Sequence, residues 1–186
     1  SVLNNQLAQS YLVTAYAVPS MALPMDEDEM DTDKDGDPWN DVAYAHVSGG
    51  DGFARMADGN ELYTFGFSDF TARTHELAAA GAHPDQLLQA VMAERMLKAE
   101  ISAPTYALKE GQRFYFDLSN VGMLMRPDLF DPHTIHFHGY PQAASIFDGE
   151  PFASIAVNVG ATFRYYYQIN DPGTYIYHCH MEATEH

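Results

Sequence analysis

Apolar and polar positions alternate along much of this chain, and the period of the alternation changes as the chain proceeds. Residues 8–18, rich in Tyr, Val, Thr and Leu, predict a first strand. Residues 24–41 hold few apolar side chains and many acids, which predicts an acidic surface loop. Glycines 49, 50, 52 and 59 predict turns, and Glu61 to Phe67 predicts a strand. Between residues 72 and 100 the period lengthens. Leu88, Val91, Met92 and Met96 recur at spacings of three and four, the helical period, and Pro84 suits a first helical turn. Beyond residue 100 the period of two returns. Arg113 to Leu118 alternates, and Thr162 to Ile169 alternates with Phe163, Tyr165, Tyr167 and Ile169 on one face. Short strands separated by Gly and Pro turns predict an all-β sandwich or barrel, with one helical insertion over residues 72–100.

Composition narrows the classes. The 186 residues are 46% hydrophobic and 13% aromatic, enough for a single domain over 1–186 with a sizeable core. No run of about 18 apolar residues exists, so no membrane span is expected. Ser1 to Ser20 lacks a basic segment followed by an apolar one, so no signal peptide is expected. The net charge of −17 repels nucleic acid and anionic lipid, and favours metal cations or cationic partners. A single cysteine excludes an internal disulfide framework. One cysteine among nine histidines raises a different role for it, as a thiolate metal ligand.

Six of the histidines fall in two short clusters. One contains His133, His136 and His138; the other contains His178, His180 and His186, with Cys179 between the first two. Side chains on a strand alternate faces. If both clusters are extended, His136 and His138 share a face and His133 points away. Likewise His178 and His180 share a face and Cys179 points away. Pairing the two strands therefore builds two sites back to back. One has His133, Cys179 and the nearby His186; the other has four imidazoles.

Two imidazoles and a thiolate in a plane suit a blue-copper electron-transfer centre, and several imidazoles with open positions suit copper that binds oxygen. Zinc also takes Cys and His, but structural zinc sites close with four ligands, usually including paired cysteines.

From about residue 100 onward the chain resembles the multicopper oxidases, the group that includes laccases and ferroxidases. His133-Thr134-Ile135-His136-Phe137-His138-Gly139 is similar to that family's H-P-x-H-x-H-G motif. Gly173-Thr174-Tyr175-Ile176-Tyr177-His178-Cys179-His180 is similar to the strand into its H-C-H motif. Asp148-Gly149-Glu150-Pro151, with residues 153–167, is similar to its D-G segment and next strand.

The resemblance implies a cupredoxin-like Greek-key β-sandwich. It implies His133, Cys179 and His186 as type 1 copper ligands, His136 as a type 2 ligand, and His138, His178 and His180 as type 3 ligands. It further implies oxidation of a small phenolic or metal-ion reductant coupled to reduction of O2 to water. The resemblance places that reduction at a trinuclear copper cluster, which needs twice the imidazoles present, so a second cupredoxin domain is expected beyond residue 186 or from a neighbouring subunit, with a homotrimer as the arrangement suggested. A periplasmic or extracellular location follows from the same resemblance.

The family usually carries a histidine five residues after the cysteine. Here that position is Thr184 and the next imidazole is His186, so the ligand loop is read as expanded by two residues. The axial type 1 ligand is expected beyond residue 186. Copper nitrite reductases are the competing resemblance, but they carry Asp where this chain has His136 and lack a histidine equivalent to His180. A non-enzymatic blue-copper electron carrier is a further alternative, and it leaves four histidines without a role.

Asp31, Asp33, Asp35 and Asp37, with Gly36, match the start of a calcium loop, with Asp41 available near its end. A calcium site and a plain solvated acidic loop both stay open. Asp148 and Glu182 stand beside the expected ligands as candidate proton relays. His46, His75 and His83 lie outside the clusters and read as surface or core residues; Met123, Met125 and Met181 read as packing.

Overall fold

The computed structural model of this chain describes residues 41–181. The expected strand at 8–18, Asp31 to Asp37, Glu182 and His186 lie outside that range.

Four strands form the main sheet: β1 (Val42–Arg55), β2 (Glu61–Asp69), β3 (Arg113–Gly122) and β5 (Thr162–Gln168), in the order β2-β1-β3-β5. β1 and β3 run parallel; the other two pairings are antiparallel. A crossover between parallel neighbours needs a long connection. The segment between β2 and β3 supplies it through helices α1 (Thr71–Ala79) and α2 (Pro84–Arg95). A second, two-stranded sheet pairs β4 (His136–Phe137) with β6 (Tyr177–His178).

The alternation in sequence sorts the main sheet into two unlike faces. Ala45 and Val47 of β1, Phe114, Phe116 and Leu118 of β3, and Phe163, Tyr165 and Tyr167 of β5 all point one way and are buried. Phe137 and Tyr177 of the small sheet pack on this face, with ring centroids 6.2 and 5.7 Å from that of Phe116. Each such aromatic contributes roughly 1.5–3 kcal/mol by burial, so this layer carries the fold and holds β4 and β6 in place.

The opposite face is polar. Arg164 grips Asp117 with two hydrogen bonds of 2.7 and 2.9 Å, and the Tyr44 hydroxyl donates to the same carboxylate. His46 lies beside them under α1, wholly enclosed.

Two expectations need correcting. Gly49, Gly50 and Gly52 are not turns; they lie inside β1. A Cβ on Gly50 would come within 2.8 Å of the Gly122 carbonyl oxygen, and one on Gly52 within 2.2 Å of that of Ala99. These glycines mark close backbone approach within a strand, a common reason for glycine there. Only Gly59, at φ +88°, falls in a turn. The helical segment also holds two helices where the spacing shows one. α2 covers Leu88, Val91 and Met92, ends before Met96, and begins with the His83 ring accepting from the Asp85 N–H. α1, with only Thr74 and Ala78 buried, lacks a strong apolar stripe, and its position comes from packing on β1.

Candidate metal centre

The register of the small sheet builds the site. His136 lies opposite His178 in an antiparallel pair, so both side chains leave the same face. Period two adds His138 and His180 to that face. The His138 N–H donates to the Ile176 carbonyl at 2.9 Å, which extends the pairing past the short strands.

The four imidazoles meet. Donor nitrogens of His136, His138 and His178 all lie within 4.8 Å of one another. The His180 ring centroid is 5.1 Å from that of His136 and 5.6 Å from that of His178. Two rings have their tautomers set by carbonyls, which can only accept. His136 Nδ1 donates to the Asp148 carbonyl at 2.7 Å, and His178 Nδ1 donates to the Cys179 carbonyl at 2.6 Å. Both therefore present a bare Nε2, the arrangement typical of histidine ligands held by a second layer of hydrogen bonds. His178 Nε2 already stands 2.8 Å from His138 Nε2. His138 is exposed, so this side of the sheet is open.

Gly149 makes the Asp148 contact possible. Its φ is +77°, and a Cβ there would lie 1.9 Å from the Ile135 carbonyl oxygen. The Asp148–Gly149 segment thus lies flush against the entry to β4. The Asp148 carboxylate also comes to 3.6 Å from His136 Nδ1.

The other face of the same sheet carries a different set. Cys179 Sγ lies 3.8 Å from His133 Nδ1. Metal bonds of about 2.0 Å to imidazole and about 2.3 Å to thiolate, at a trigonal angle, separate the two donors by about 3.7 Å. The spacing and the donor chemistry both fit a soft transition metal such as copper.

His133 is 2% exposed and is fixed by backbone. It exchanges hydrogen bonds of 3.0 and 2.8 Å with Val157, while Asn120 Nδ2 donates to the Asp131 and Val157 carbonyls on either side. Gly49 gives the ring room, since a Cβ there would come within 2.8 Å of His133 Cδ2. Burial pushes the Cys179 thiol up, and the Thr134 amide pulls the other way. A bound cation would deprotonate it outright. Phe65, Phe67, Glu100 and Tyr177 line a cavity of about 270 Å³ that reaches His133 and Cys179.

The structure thus brings together His133 with Cys179, and His136, His138, His178 and His180 on the reverse face. Asp41 is buried at the entrance to β1, where its carbonyl accepts from the Arg113 N–H. His46 is internal, His75 sits edge-on to Tyr44, and His83 caps α2. Met123 is buried and Met125 exposed; the Met181 carbonyl lies 3.7 Å from Cys179 Sγ. Sequence reasoning missed Thr134, Asn120 and Gly49. A double glycine inside an alternating stretch was the signal that could have found Gly49; nothing in the local pattern marks Asn120.

Comparison with known proteins points to one family. A family profile described as multicopper oxidase matches residues 96–186. A multicopper oxidase of Cercospora beticola, CTB12, is 35% identical over 82 residues, covering 43% of this chain and 12% of that protein. Among solved structures, the blue copper oxidase from Nitrosomonas europaea aligns with a TM-score of 0.52 at 24% identity, over 78% of this chain and 34% of that one. The multi-copper oxidase from Pseudomonas thermotolerans aligns with a TM-score of 0.50 at 16% identity, over 75% and 25%. The fold is theirs, a cupredoxin-like sandwich. The chain spans about an eighth of the curated relative and a quarter to a third of these structures.

Proposed function

From the match of residues 96–186 to the multicopper oxidase family, we propose that this chain is the electron-accepting part of a copper-dependent oxidase. The protein takes electrons singly from a small phenolic or metal-ion reductant and delivers them to O2, which leaves as water. The observation that carries this reading is the pair of unlike donor sets on opposite faces of one small sheet.

His133 and Cys179, with His186 as third ligand, hold type 1 copper. His136 belongs to a type 2 site, and His138, His178 and His180 to type 3 sites. Copper bound at these positions supplies one-electron redox chemistry. The chain's own residues do the rest. His133 and Cys179 lie against a cavity through which a small reductant can approach. Cys179 is bonded through the backbone to His178 and His180, so the two sites share a covalent path. Burial of His133 holds the first site rigid, which suits electron transfer. Asp148, whose carboxylate lies 3.6 Å from His136 Nδ1, is the candidate to pass protons toward the open face, with Glu182 as a second. The presence of His136 and His180 in one cluster favours oxygen over nitrite as the acceptor.

Four imidazoles on an open face are too few for a cluster of three metals. A second cupredoxin domain, from the same native protein or from a neighbouring subunit in a homotrimer, supplies the remainder. A periplasmic or extracellular setting suits this chemistry. Among the described residues no helix is long and apolar enough to cross a membrane. The Asp31 to Asp41 segment remains a calcium-loop proposal.

Copper counting with an oxygen electrode tests the central point. The isolated chain keeps about one copper, at Cys179, and does not sustain O2 consumption, because under-ligated metal is lost to solvent. Assembly with the complementary domain raises the count to about four and restores turnover. Sustained oxygen reduction by a verified monomer of this chain alone overturns the shared-cluster reading.

A further inference from the structure

Thr134 lies between the two donor sets and is wholly buried. Its amide N–H donates to Cys179 Sγ at 3.4 Å. Its hydroxyl oxygen accepts the backbone N–H of His180 at 3.0 Å. One residue therefore touches the sulfur on one face and the chain that carries an imidazole on the other.

We propose that Thr134 is a positioning residue for both metal sites: its amide tunes the Cys179 sulfur, and its hydroxyl holds His180 in register. This rests on the reading that a redox metal binds at Cys179.

The first half follows from the chemistry of thiolate ligands. A hydrogen bond to sulfur draws electron density from it, which destabilises the oxidised metal relative to the reduced one and raises the reduction potential. The bond also fixes the sulfur's direction before metal arrives. The motif that residues 133–139 resemble has proline at this position, and proline has no N–H to donate. This contact is therefore a property of the threonine in this chain. The second half follows from geometry. His180 lies beyond the end of β6, where no ladder bond is formed, so the Thr134 hydroxyl takes the place of one. Losing a partner of this kind behind a metal ligand typically costs about 10–100-fold in affinity.

Three substitutions separate the two bonds. Thr134→Ser keeps both, Thr134→Val keeps only the amide, and Thr134→Pro keeps neither. In copper-loaded assembled protein, Thr134→Ser has the wild-type reduction potential and the wild-type copper content. Thr134→Val keeps the potential, but its imidazole side releases copper to a chelator about tenfold more readily. Thr134→Pro loses copper in the same way and also shifts the one-electron equilibrium with a redox mediator about tenfold toward the oxidised form, about 59 mV.

If the proline variant does not fold, wild-type protein loaded with a spin-active cadmium isotope answers the first half. Scalar coupling between cadmium and the Thr134 amide proton, carried through the sulfur, is expected; its absence overturns the amide bond. Equal potentials for the proline and valine variants overturn tuning by the amide, and unchanged copper release in the valine variant overturns the role of the hydroxyl. Wild-type copper protein without an intense visible thiolate band overturns the metal reading itself, a result distinct from either.

Discussion

The two faces of the β4–β6 ribbon carry candidate metal donors in opposite states of enclosure. On one face His133 is enclosed, bridged to Val157 through its backbone, and set at a metal-bridging distance from a thiol that already receives a hydrogen bond. On the other, four imidazoles gather around a space that His138 leaves open to solvent. The difference teaches where each kind of chemistry can live. Electron transfer needs fixed ligands and little reorganisation, and one domain's core can provide that. Binding a small oxidant needs vacant positions, and a second protein surface can close over them. The two faces come from neighbouring residues of the same two segments; the pleat sets the sides of His136 and His178, while the bridge to Val157 holds His133.

The sharpest way to break the comparison is to remove one face at a time. Cys179→Ser abolishes the strong thiolate-to-copper absorption completely, while copper on the imidazole side is retained in the assembled protein. His138→Ala with His178→Ala does the reverse: the band stays, and the open-side copper and O2 consumption are lost. Absorption spectra and copper counts on both variants check this, and a shared loss in either variant would show that the faces are not separate sites.

A second test sets the enclosed polar face of the main sheet against the metal faces. His46 Nδ1 lies 2.7 Å from Thr74 Oγ1, whose hydroxyl is engaged as a donor to the Phe70 carbonyl. His46 Nδ1 therefore donates, and His46 Nε2 accepts from the Ser119 hydroxyl at 2.8 Å. Burial drives the pKa of His46 down from 6.5 to about 4. The unfolded chain then binds more protons than the folded one between these values, so stability falls as pH drops through that window and levels off below it. The expected loss is on the order of 3 kcal/mol, and His46→Gln should remove most of this dependence. Chemical denaturation of metal-free protein from pH 7 to pH 4 measures it.

The smallest effects sharpen the comparison at two glycines. Gly49→Ala drives a methyl group into the His133 ring and should cost about 1–3 kcal/mol, with a shifted or weakened thiolate band. Gly139→Ala, beside His138, meets no atom within 4 Å and pays only for its φ of +70°, about 1–2 kcal/mol, with the band untouched. Thermal denaturation and the absorption spectrum distinguish the two. A band insensitive to Gly49→Ala would mean that the enclosed face tolerates movement of its histidine.

The donor sets are legible in the sequence because they depend only on local geometry. Period two separates His136 and His138 from His133, and His178 and His180 from Cys179, wherever those segments lie. The same rule identifies β2, β3 and β5 and the apolar face of Phe163, Tyr165 and Tyr167. It fails at β1, where glycine is a strand residue because neighbouring backbone is close, and at α1, whose few buried residues leave no readable stripe.

By itself, then, the sequence determined which side of its own strand each candidate donor faces, since the pleat is a property of a single extended segment. Only the tertiary structure decided that the two segments pair with His136 opposite His178. It also decided that Thr134 meets both Cys179 and His180 and that Gly49 clears the His133 ring. Those contacts join residues 40 or more positions apart, and their distances are set by the packing of Phe116, Phe137 and Tyr177 between the sheets. No periodicity along the chain encodes such a distance, because it is fixed by how the two layers fill the space between them.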